Sequence, residues 1–387
     1  MGTEFGGNPK HVVIGGNSAG AASVTLHLTA YGGRNDGLFH ASASESQSFG
    51  TIFTVAESQY QYDSLVARTN CTGSSNTLEC LRNLPAAALQ SVNINVPSPG
   101  ASSPPLYMYS PVLDHDLVQD YTYAAYGKGN FIHLPAIYGD DTNEGTNFVP
   151  ENTSTINESD EFIRNQWASI TPQQVNVINQ LYPNPNLTFP NSGPYWRQAS
   201  DAYGEIRYIC PGIFCSASYG PSFSSSGSSS SSYGQRRSPI PPQARRHYSQ
   251  SIRSNTAVWN YRYNVLDPTQ AAEGYGVPHT VELNAIFGPE YVNGAAPASY
   301  EAENSWIVPL IQAYWISFIR FFDPNVVRLH GSPAWEPYEW GRGIAGAGSR
   351  LRFGTEDGGQ GVEMEDIQWQ QKKRCEYLWS IGISLRQ

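Results

Sequence analysis

The sequence lacks an uninterrupted apolar segment long enough to span a lipid bilayer. Its longest apolar run covers residues 307–322 and is broken by Pro309, Gln312, Ser317 and Arg320. A transmembrane helix needs about 20 predominantly apolar residues, so this run is too short. It predicts a helix in the protein core that ends at the DPN sequence, with a buried face made of Leu310, Ile311, Tyr314, Trp315 and Phe318.

Positive charge is also scarce, with 23 Lys and Arg against 33 Asp and Glu and a net charge of −10. Such an excess of negative charge repels phosphate groups, which argues against nucleic acid and anionic membranes as partners. No signal peptide is recognisable at the amino terminus, because residues 1–13 (MGTEFGGNPKHVV) contain no apolar segment of the required length.

The five cysteines are few and odd in number, which fits two disulfides and one free thiol. Cys71 and Cys80 enclose a polar loop, CTGSSNTLEC, that suits a local bridge. Together with the cysteines, N-glycosylation sequons point to a secreted protein, and they occur at Asn70, Asn152, Asn157 and Asn186.

The 387 residues include 40% apolar residues, enough for a large core, and no linker divides them. We therefore expect a single domain over residues 1–387. Residues 216–254 differ from the rest, because they are rich in serine, carry arginines such as Arg236, Arg237, Arg245 and Arg246, and have almost no apolar periodicity. This composition predicts a disordered insertion. The sequence TAVWNYRYNVLDP, residues 256–268, then alternates as a strand does.

One short segment, HVVIGGNSAGAASV (residues 11–24), has the pattern of a nucleophile elbow. A β-branched strand leads to G-x-S-x-G, and a helical pattern follows. Ser18 would lie at the apex of the turn, with Gly16 and Gly20 keeping strand and helix close. The Ala19 N–H, at the start of the helix, would face a developing oxyanion. The alternative is that Ser18 is an ordinary helix-capping serine.

A serine nucleophile needs a histidine as its base and a carboxylate to orient that histidine. His279 lies in a glycine-rich loop, GYGVPHTVELNAIFG, and is the strongest of the eight histidines; His40, His115, His133 and His330 remain open as alternatives. The acid follows a strand-like stretch in LPAIYGDDTNEGTNF, at a place where α/β-sheet sites gather. Composition alone does not choose among Asp140, Asp141 and Glu144.

The elbow segment FGGNPKHVVIGGNSAGAASVTLHL resembles the type-B carboxylesterase, cholinesterase and lipase family, and further matches follow in family order along nearly the whole chain: GLFHASASESQSFG, LECLRNLP, YSPVLDHDLV, IYGDDTNEGTNF and GVPHTVEL. The resemblance implies an α/β-hydrolase fold, in which a mostly parallel sheet carries helices on both faces. It also implies a catalytic triad of Ser18, Glu144 and His279, with Asp140 and Asp141 as loop residues. Ser46 matches a serine that lies near the family's triad.

YICPGIF and KKRCEYLW resemble the segments that carry the family's long-range cysteine pair. The resemblance therefore implies a Cys210–Cys375 bridge beside Cys71–Cys80 and leaves Cys215 unpaired. It implies hydrolysis of a small-molecule or lipid ester through an acyl-enzyme, without a metal or an organic cofactor.

Three departures from the family pattern bear on activity. Asn17 stands where the family usually has glutamate, and the serine-rich insertion separates segments that lie closer in relatives. The chain also begins at a point well inside the family's domain, and it contains no HGG sequence. The resemblance then implies an N-terminally truncated enzyme without its first strands and HGGG-type oxyanion segment, and hence impaired hydrolysis. A catalytically inactive, cholinesterase-like binding protein is the alternative, and a peptidase or thioesterase on the same fold is a further one.

Overall fold

The computed structural model describes residues 5–220, 256–356 and 359–387. In this part of the chain a six-stranded sheet has the order β1-β2-β5-β6-β7-β8. All neighbouring strands are parallel except β7 and β8. The strands are β1 (Val13–Asn17), β2 (Ala41–Glu45), β5 (Ala136–Asp141), β6 (Val258–Asn264), β7 (Ser349–Glu356) and β8 (Gly359–Asp366); β3 (Phe53–Thr54) and β4 (Val112–Leu113) form a separate parallel pair.

Alternation along the buried strands divides the core into two, one on each face of the sheet. On β5, Ala136 and Tyr138 belong to one hydrophobic cluster, and Ile137 belongs to the other. The helix that follows β1 packs in the first cluster, and the helix Ile307–Phe321 packs in the second. The prediction of a mostly parallel sheet with helices on both faces is therefore confirmed.

The α-helices begin with α1 (Ala19–Gly33), whose helical conformation is interrupted at residues 30–32. Those up to the serine-rich segment are Val55–Arg68, Thr77–Arg82, Ala86–Val92, Thr122–Lys128, Ile156–Gln166, Pro172–Leu181, Trp196–Gly204 and Cys210–Ala217. Those after it are Pro268–Glu273, Leu283–Ile286, Ile307–Phe321 and Trp369–Gly382. Residues Glu205–Ile209 form a π-helical turn that joins two of these helices without a break.

The helix predicted from the longest apolar run is present as Ile307–Phe321, and Ile311, Tyr314, Trp315 and Phe318 are buried as expected. Leu310 is only partly buried, but it packs against the same hydrophobic cluster. Within the described residues, no helix combines the length and the apolar character that crossing a membrane requires.

The serine-rich segment was predicted to begin at residue 216, and the structure corrects this start. Ser216 and Ala217 are buried at the end of the helix Cys210–Ala217. The Ser216 hydroxyl donates to the Gly212 carbonyl and accepts a 3.0 Å hydrogen bond from the Asn260 side chain on β6. These contacts hold it in the core in spite of its polar neighbours in sequence. Most of the predicted insertion, residues 221–254, lies outside the described residues.

Two disulfides are present in the structure. Cys71 pairs with Cys80, and Cys210 pairs with Cys375 across 165 residues of sequence. The second bridge joins the end of the π-helical turn to the C-terminal helix Trp369–Gly382. Cys215 is buried and forms no disulfide in the described part of the chain.

Candidate active site

Ser18 lies between β1 and α1 in a backbone conformation that a side chain rarely adopts. Its φ of 54° and ψ of −116° differ from the extended conformation of a capping residue, and its side chain makes no capping hydrogen bond to α1. The Ser18 N–H donates instead to the Glu45 carbonyl at the end of β2, at 3.0 Å. The turn therefore has the strain expected of a nucleophile elbow, and the capping alternative does not describe it.

The two glycines of the elbow are not equivalent. A Cβ on Gly16 would lie 2.6 Å from the Gly20 carbonyl carbon, which is a backbone clash. A Cβ on Gly20 would meet no atom within 4 Å. The expectation that both positions must be small is thus supported for Gly16 and not for Gly20.

Ala19 is the first residue of α1, so its N–H has no acceptor inside the helix. The residue is exposed. The helix dipole adds partial positive charge at this end, which favours an anion beside the Ala19 N–H.

The strand before the acid is longer than the sequence predicted. Asp140 and Asp141 are the last residues of β5 and are at most 1% exposed, so their placement in a loop was wrong. Both pair with residues of the neighbouring strand β6, which extends β5 beyond Gly139. The turn that carries Glu144 begins only after Asp141.

Glu144 and His279 are in direct contact. One Glu144 carboxylate oxygen accepts a 2.8 Å hydrogen bond from the Asp141 N–H, and the other bonds His279 Nδ1. A carboxylate only accepts hydrogen bonds, so Nδ1 carries the proton and the neutral ring has its lone pair on Nε2. Within the described residues, Nε2 has no hydrogen-bond partner.

The loops that carry Glu144 and His279 are joined by their backbones. The Asn143 N–H donates to the Val277 carbonyl, and the Val277 N–H donates to Asn143 Oδ1, both at 2.9 Å. An isolated parallel bridge links Asn143 to Pro278, next to His279. These bonds fix the separation of the acid and the base, because each residue lies one position from the bridge.

Two aromatic rings hold the imidazole in place, and neither was identified in the sequence analysis. The Tyr208 ring centroid lies 4.3 Å from that of His279, and the Phe148 centroid lies 5.0 Å from it. Tyr208 belongs to the π-helical turn, a feature that often occurs at functional sites. No local sequence signal marks a π-helical turn, so this contact was missed.

Ser46 follows β2 and has a φ of 51°. Its hydroxyl donates to Glu282 Oε1 at 3.4 Å. Glu282 lies three residues after His279 and is completely buried, and Tyr261 donates to the same oxygen at 3.4 Å. Sequence reasoning did not single out Glu282.

The other candidate histidines lie elsewhere. His133 stacks on Phe131, and His40 accepts a hydrogen bond from the Val12 N–H before β1. His115 and His330 are exposed. Every sequon asparagine is exposed as well, so sugar could be attached without disturbing the core at Asn70, Asn152, Asn157 and Asn186.

A cavity of about 460 Å³ lies beside the acid loop. Its lining includes Glu144 but neither Ser18 nor His279, and many of the lining residues are charged. Arg262 and Arg350 both bond Glu365 there, and they lower the pKa of that carboxyl to about 2 although burial acts in the opposite direction.

One group of potential metal ligands occurs among the described residues, formed by Glu205, Cys210 and Cys375. The two sulfur atoms are bonded to each other, and the Glu205 carboxylate bonds Arg374. A thiolate is needed to bind a metal, so this group cannot hold one while the disulfide is intact.

The carboxylesterase family matches residues 3–343 of the chain. Secreted lipase 4 of Gibberella zeae is 25% identical over 97% of the chain and 60% of its own length. Secreted lipase 1 of Botryotinia fuckeliana is 33% identical over 87% of the chain and 54% of its own length.

The crystal structure of Aspergillus niger EstA has a TM-score of 0.83 and 36% identity, and the match covers 99% of this chain and 66% of that one. The chain therefore spans about two thirds or less of the length of these relatives. Both the motifs and the sheet order agree with the match, so the chain has the α/β-hydrolase fold and belongs to the carboxylesterase family.

Proposed function

We propose that this chain carries the catalytic triad of a carboxylic ester hydrolase, with Ser18 as nucleophile, His279 as base and Glu144 as the orienting acid. The observation that carries the proposal is the hydrogen bond that His279 Nδ1 donates to Glu144. This bond leaves the lone pair of His279 Nε2 free to accept a proton. The strained turn at Ser18 supports it, because a nucleophile elbow exposes the serine hydroxyl above the sheet.

In the proposed reaction, Ser18 Oγ attacks the ester carbonyl while His279 Nε2 takes the hydroxyl proton. The Ala19 N–H donates to the oxyanion that forms. His279 then returns the proton to the departing alcohol, and the acyl group remains on Ser18. Water enters, gives a proton to His279 and releases the acid, and the serine regains its proton. Glu144 holds the imidazole in the required tautomer and stabilises its charged form.

The relatives named as lipases support an ester of a lipid or a small molecule as substrate. The secreted relatives, the two disulfides and the exposed sequons support an extracellular, glycosylated protein. We further expect slow turnover from residues 1–387 alone. Among the described strands, β1 has a partner on one side only, so the elbow lies at an open sheet edge.

The test is active-site labelling of the purified chain with a fluorophosphonate, which reacts with an activated serine. Ser18 should be the labelled residue, and Ser18→Ala should abolish both labelling and p-nitrophenyl ester hydrolysis, the latter by several orders of magnitude. Ser46→Ala is the matched control and should still be labelled at Ser18. Labelling that survives Ser18→Ala would exclude Ser18 as the nucleophile.

The same substrate tests the expectation about turnover. Residues 1–387 are compared with a version extended upstream through an HGGG segment, which should be faster by about 10²–10³-fold if that segment supplies oxyanion donors. Equal rates would show that the extension is dispensable. A folded chain without labelling or turnover in either version would favour the binding-protein alternative.

A further inference from the structure

Four carboxyl groups are buried together at the end of β5. Asp140, Asp141, Glu144 and Glu282 are each at most 1% exposed. Buried ionised carboxylates are costly unless hydrogen-bond donors or cations compensate their charge. Glu144 has such partners on both oxygens, as described above, whereas Asp141 and Glu282 do not.

The donors available to Glu282 reach only one of its oxygens. Ser46 and Tyr261 both donate to Oε1, at 3.4 Å each. Among the described residues, Glu282 Oε2 and both carboxyl oxygens of Asp141 lack a hydrogen bond of normal geometry. The Asp141 and Glu282 carboxyl groups instead contact each other.

Two ionised carboxyls cannot bond each other, because each only accepts hydrogen bonds and their charges repel. A single proton turns the same contact into a strong O–H···O⁻ bond. We propose that Asp141 and Glu282 share one proton, and that this pair is a positioning element behind the Glu144–His279 dyad.

The environment of the pair favours retention of this proton. Burial raises the pKa of Asp141 well above its usual range, and the charges of Glu282 and Glu144 raise it further. Burial also raises the pKa of Glu282, but the contact with Asp141 and the charge of His279 lower it. The Thr280 N–H lowers the pKa of Asp141 but does not outweigh burial.

The groups around the pair supply little positive charge. The titratable side chains that interact with it are Glu45, Asp140, Glu144, His279, Tyr261, Tyr263 and Tyr300. Of these, only His279 can become a cation. Among the groups just named, only His279 could compensate a second negative charge on the pair, and Glu144 already binds it.

The consequence for catalysis rests on the proposed function of His279. With one proton the pair has a charge of −1, and without it the charge would be −2. A second charge so near would favour protonated His279 and would move the acidic limb of the kcat/KM profile to higher pH. The shared proton therefore keeps His279 available as a base at lower pH.

The first test does not depend on activity. The net release or uptake of protons on unfolding of residues 1–387 is measured between pH 5 and 8 for wild type, Asp141→Asn, Glu282→Gln and the double variant; the shared proton should appear as one proton released by wild type. The folded state of each single variant should hold about one proton fewer than wild type. The double variant should lose the same single proton, because both substitutions remove one shared site. Two protons lost in the double variant, or none in the singles, would overturn the proposal.

Asp140→Asn provides a matched control, since Asp140 is the equally buried neighbour on β5. Combined with Glu282→Gln, its effect on proton uptake should be additive, in contrast to that of Asp141→Asn. If Asp141→Asn fails to fold, Glu282→Gln alone still tests the proposal. An unchanged number of bound protons in the folded state of that variant would contradict a shared proton.

The second test uses the pH dependence of ester hydrolysis. Each single substitution leaves one negative charge and one donor in the pair, so the acidic limb of the kcat/KM profile should stay in place. The double variant removes the charge, and its acidic limb should move down by about one pH unit. A shift already present in the singles would show two ionised carboxyls. A chain that hydrolyses no ester would refute the proposed function, while proton uptake would still test the pair.

Discussion

The two strands that lead to Ser18 and Glu144 lie in different surroundings. β5, which leads to Glu144, is buried at every residue and has a neighbour on each side. β1, which leads to Ser18, is half-exposed and has one neighbour, β2, among the described strands. The acid and the base are held by core contacts, whereas the nucleophile depends on local turn geometry. The buried part of the site, with Glu144 and His279, and the elbow at the sheet edge, with Ser18, should therefore respond differently to mutation.

The largest effect is expected from a substitution in the buried part of the site that breaks the Glu144–His279 hydrogen bond. Glu144→Gln keeps the shape of the side chain but no longer fixes the protonated Nδ1 tautomer of His279. Turnover should fall by about 10³–10⁴-fold with little change in the fold. Steady-state kinetics on a p-nitrophenyl ester and circular dichroism give the two readings. A loss below tenfold would mean that Glu144 does not orient the base.

Removing the long-range disulfide should lower the free energy of unfolding and so weaken the buried part of the site as a whole. The Cys210–Cys375 bridge closes a far longer loop than Cys71–Cys80. The chain-entropy relation gives about 5 kcal/mol for the first and about 3 kcal/mol for the second.

Urea unfolding of the double serine variants Cys210→Ser/Cys375→Ser and Cys71→Ser/Cys80→Ser compares the two losses directly. A greater loss from the short loop would show that native contacts, rather than loop closure, determine these stabilities.

The elbow at the sheet edge can be disrupted by substituting a single glycine. Gly16→Ala places a methyl group against the Gly20 carbonyl and should lower fluorophosphonate labelling of Ser18 at least tenfold, because the turn must shift. Gly20→Ala is the matched control and should label at a rate near that of wild type, since its Cβ meets open space. Equal labelling rates in the two variants would indicate that the elbow tolerates movement.

The smallest effect concerns Glu45, which ends β2 beside the elbow and accepts a 3.0 Å hydrogen bond from Trp315 Nε1. Burial raises the pKa of Glu45 to about 7 from 4.5. A carboxyl with a raised folded-state pKa stabilises the fold below its unfolded value and loses that contribution as pH rises to the folded value. Glu45→Gln should therefore be nearly neutral at pH 4.5 and stabilising by up to about 3 kcal/mol above pH 7.

Glu365→Gln provides a control of opposite sign, since its arginine partners lower the pKa of Glu365. The stability that Glu365 contributes is complete above pH 4.5 and is lost as pH falls towards 2. Urea unfolding at several pH values measures both variants. The same sign of pH dependence in the two would contradict this account.

The sequence was most informative where function constrains several neighbouring residues. The elbow pattern and the helix at residues 307–321 follow from periodicity and glycine spacing, whereas the mostly parallel sheet was implied by the resemblance to the family. The choice of Glu144 over Asp140 and Asp141 came from the resemblance to the family, because nothing local to the three residues separates them. The structure adds their environments, in which both aspartates belong to the strand.

Contacts between distant segments could not be predicted. Tyr208, in the π-helical turn, packs on His279, and Glu282 meets Asp141 where the end of β5 and the histidine loop converge. Such pairings depend on tertiary packing. Unlike helices and strands, they produce no periodic pattern in the sequence. The burial of Ser216 has the same origin, since its partner Asn260 lies on a strand beyond the serine-rich segment.

The Cys210–Cys375 bridge has a consequence for proteolysis. Residues 221–255 lie between the two cysteines, so cleavage of any peptide bond there gives one fragment with Cys210 and another with Cys375. Ser18 and Glu144 belong to the first fragment, and His279 belongs to the second. The bridge keeps the two fragments in one covalent molecule until a reductant separates them. A nicked protein would therefore migrate as a single species on a non-reducing gel, with all three triad residues still in one particle.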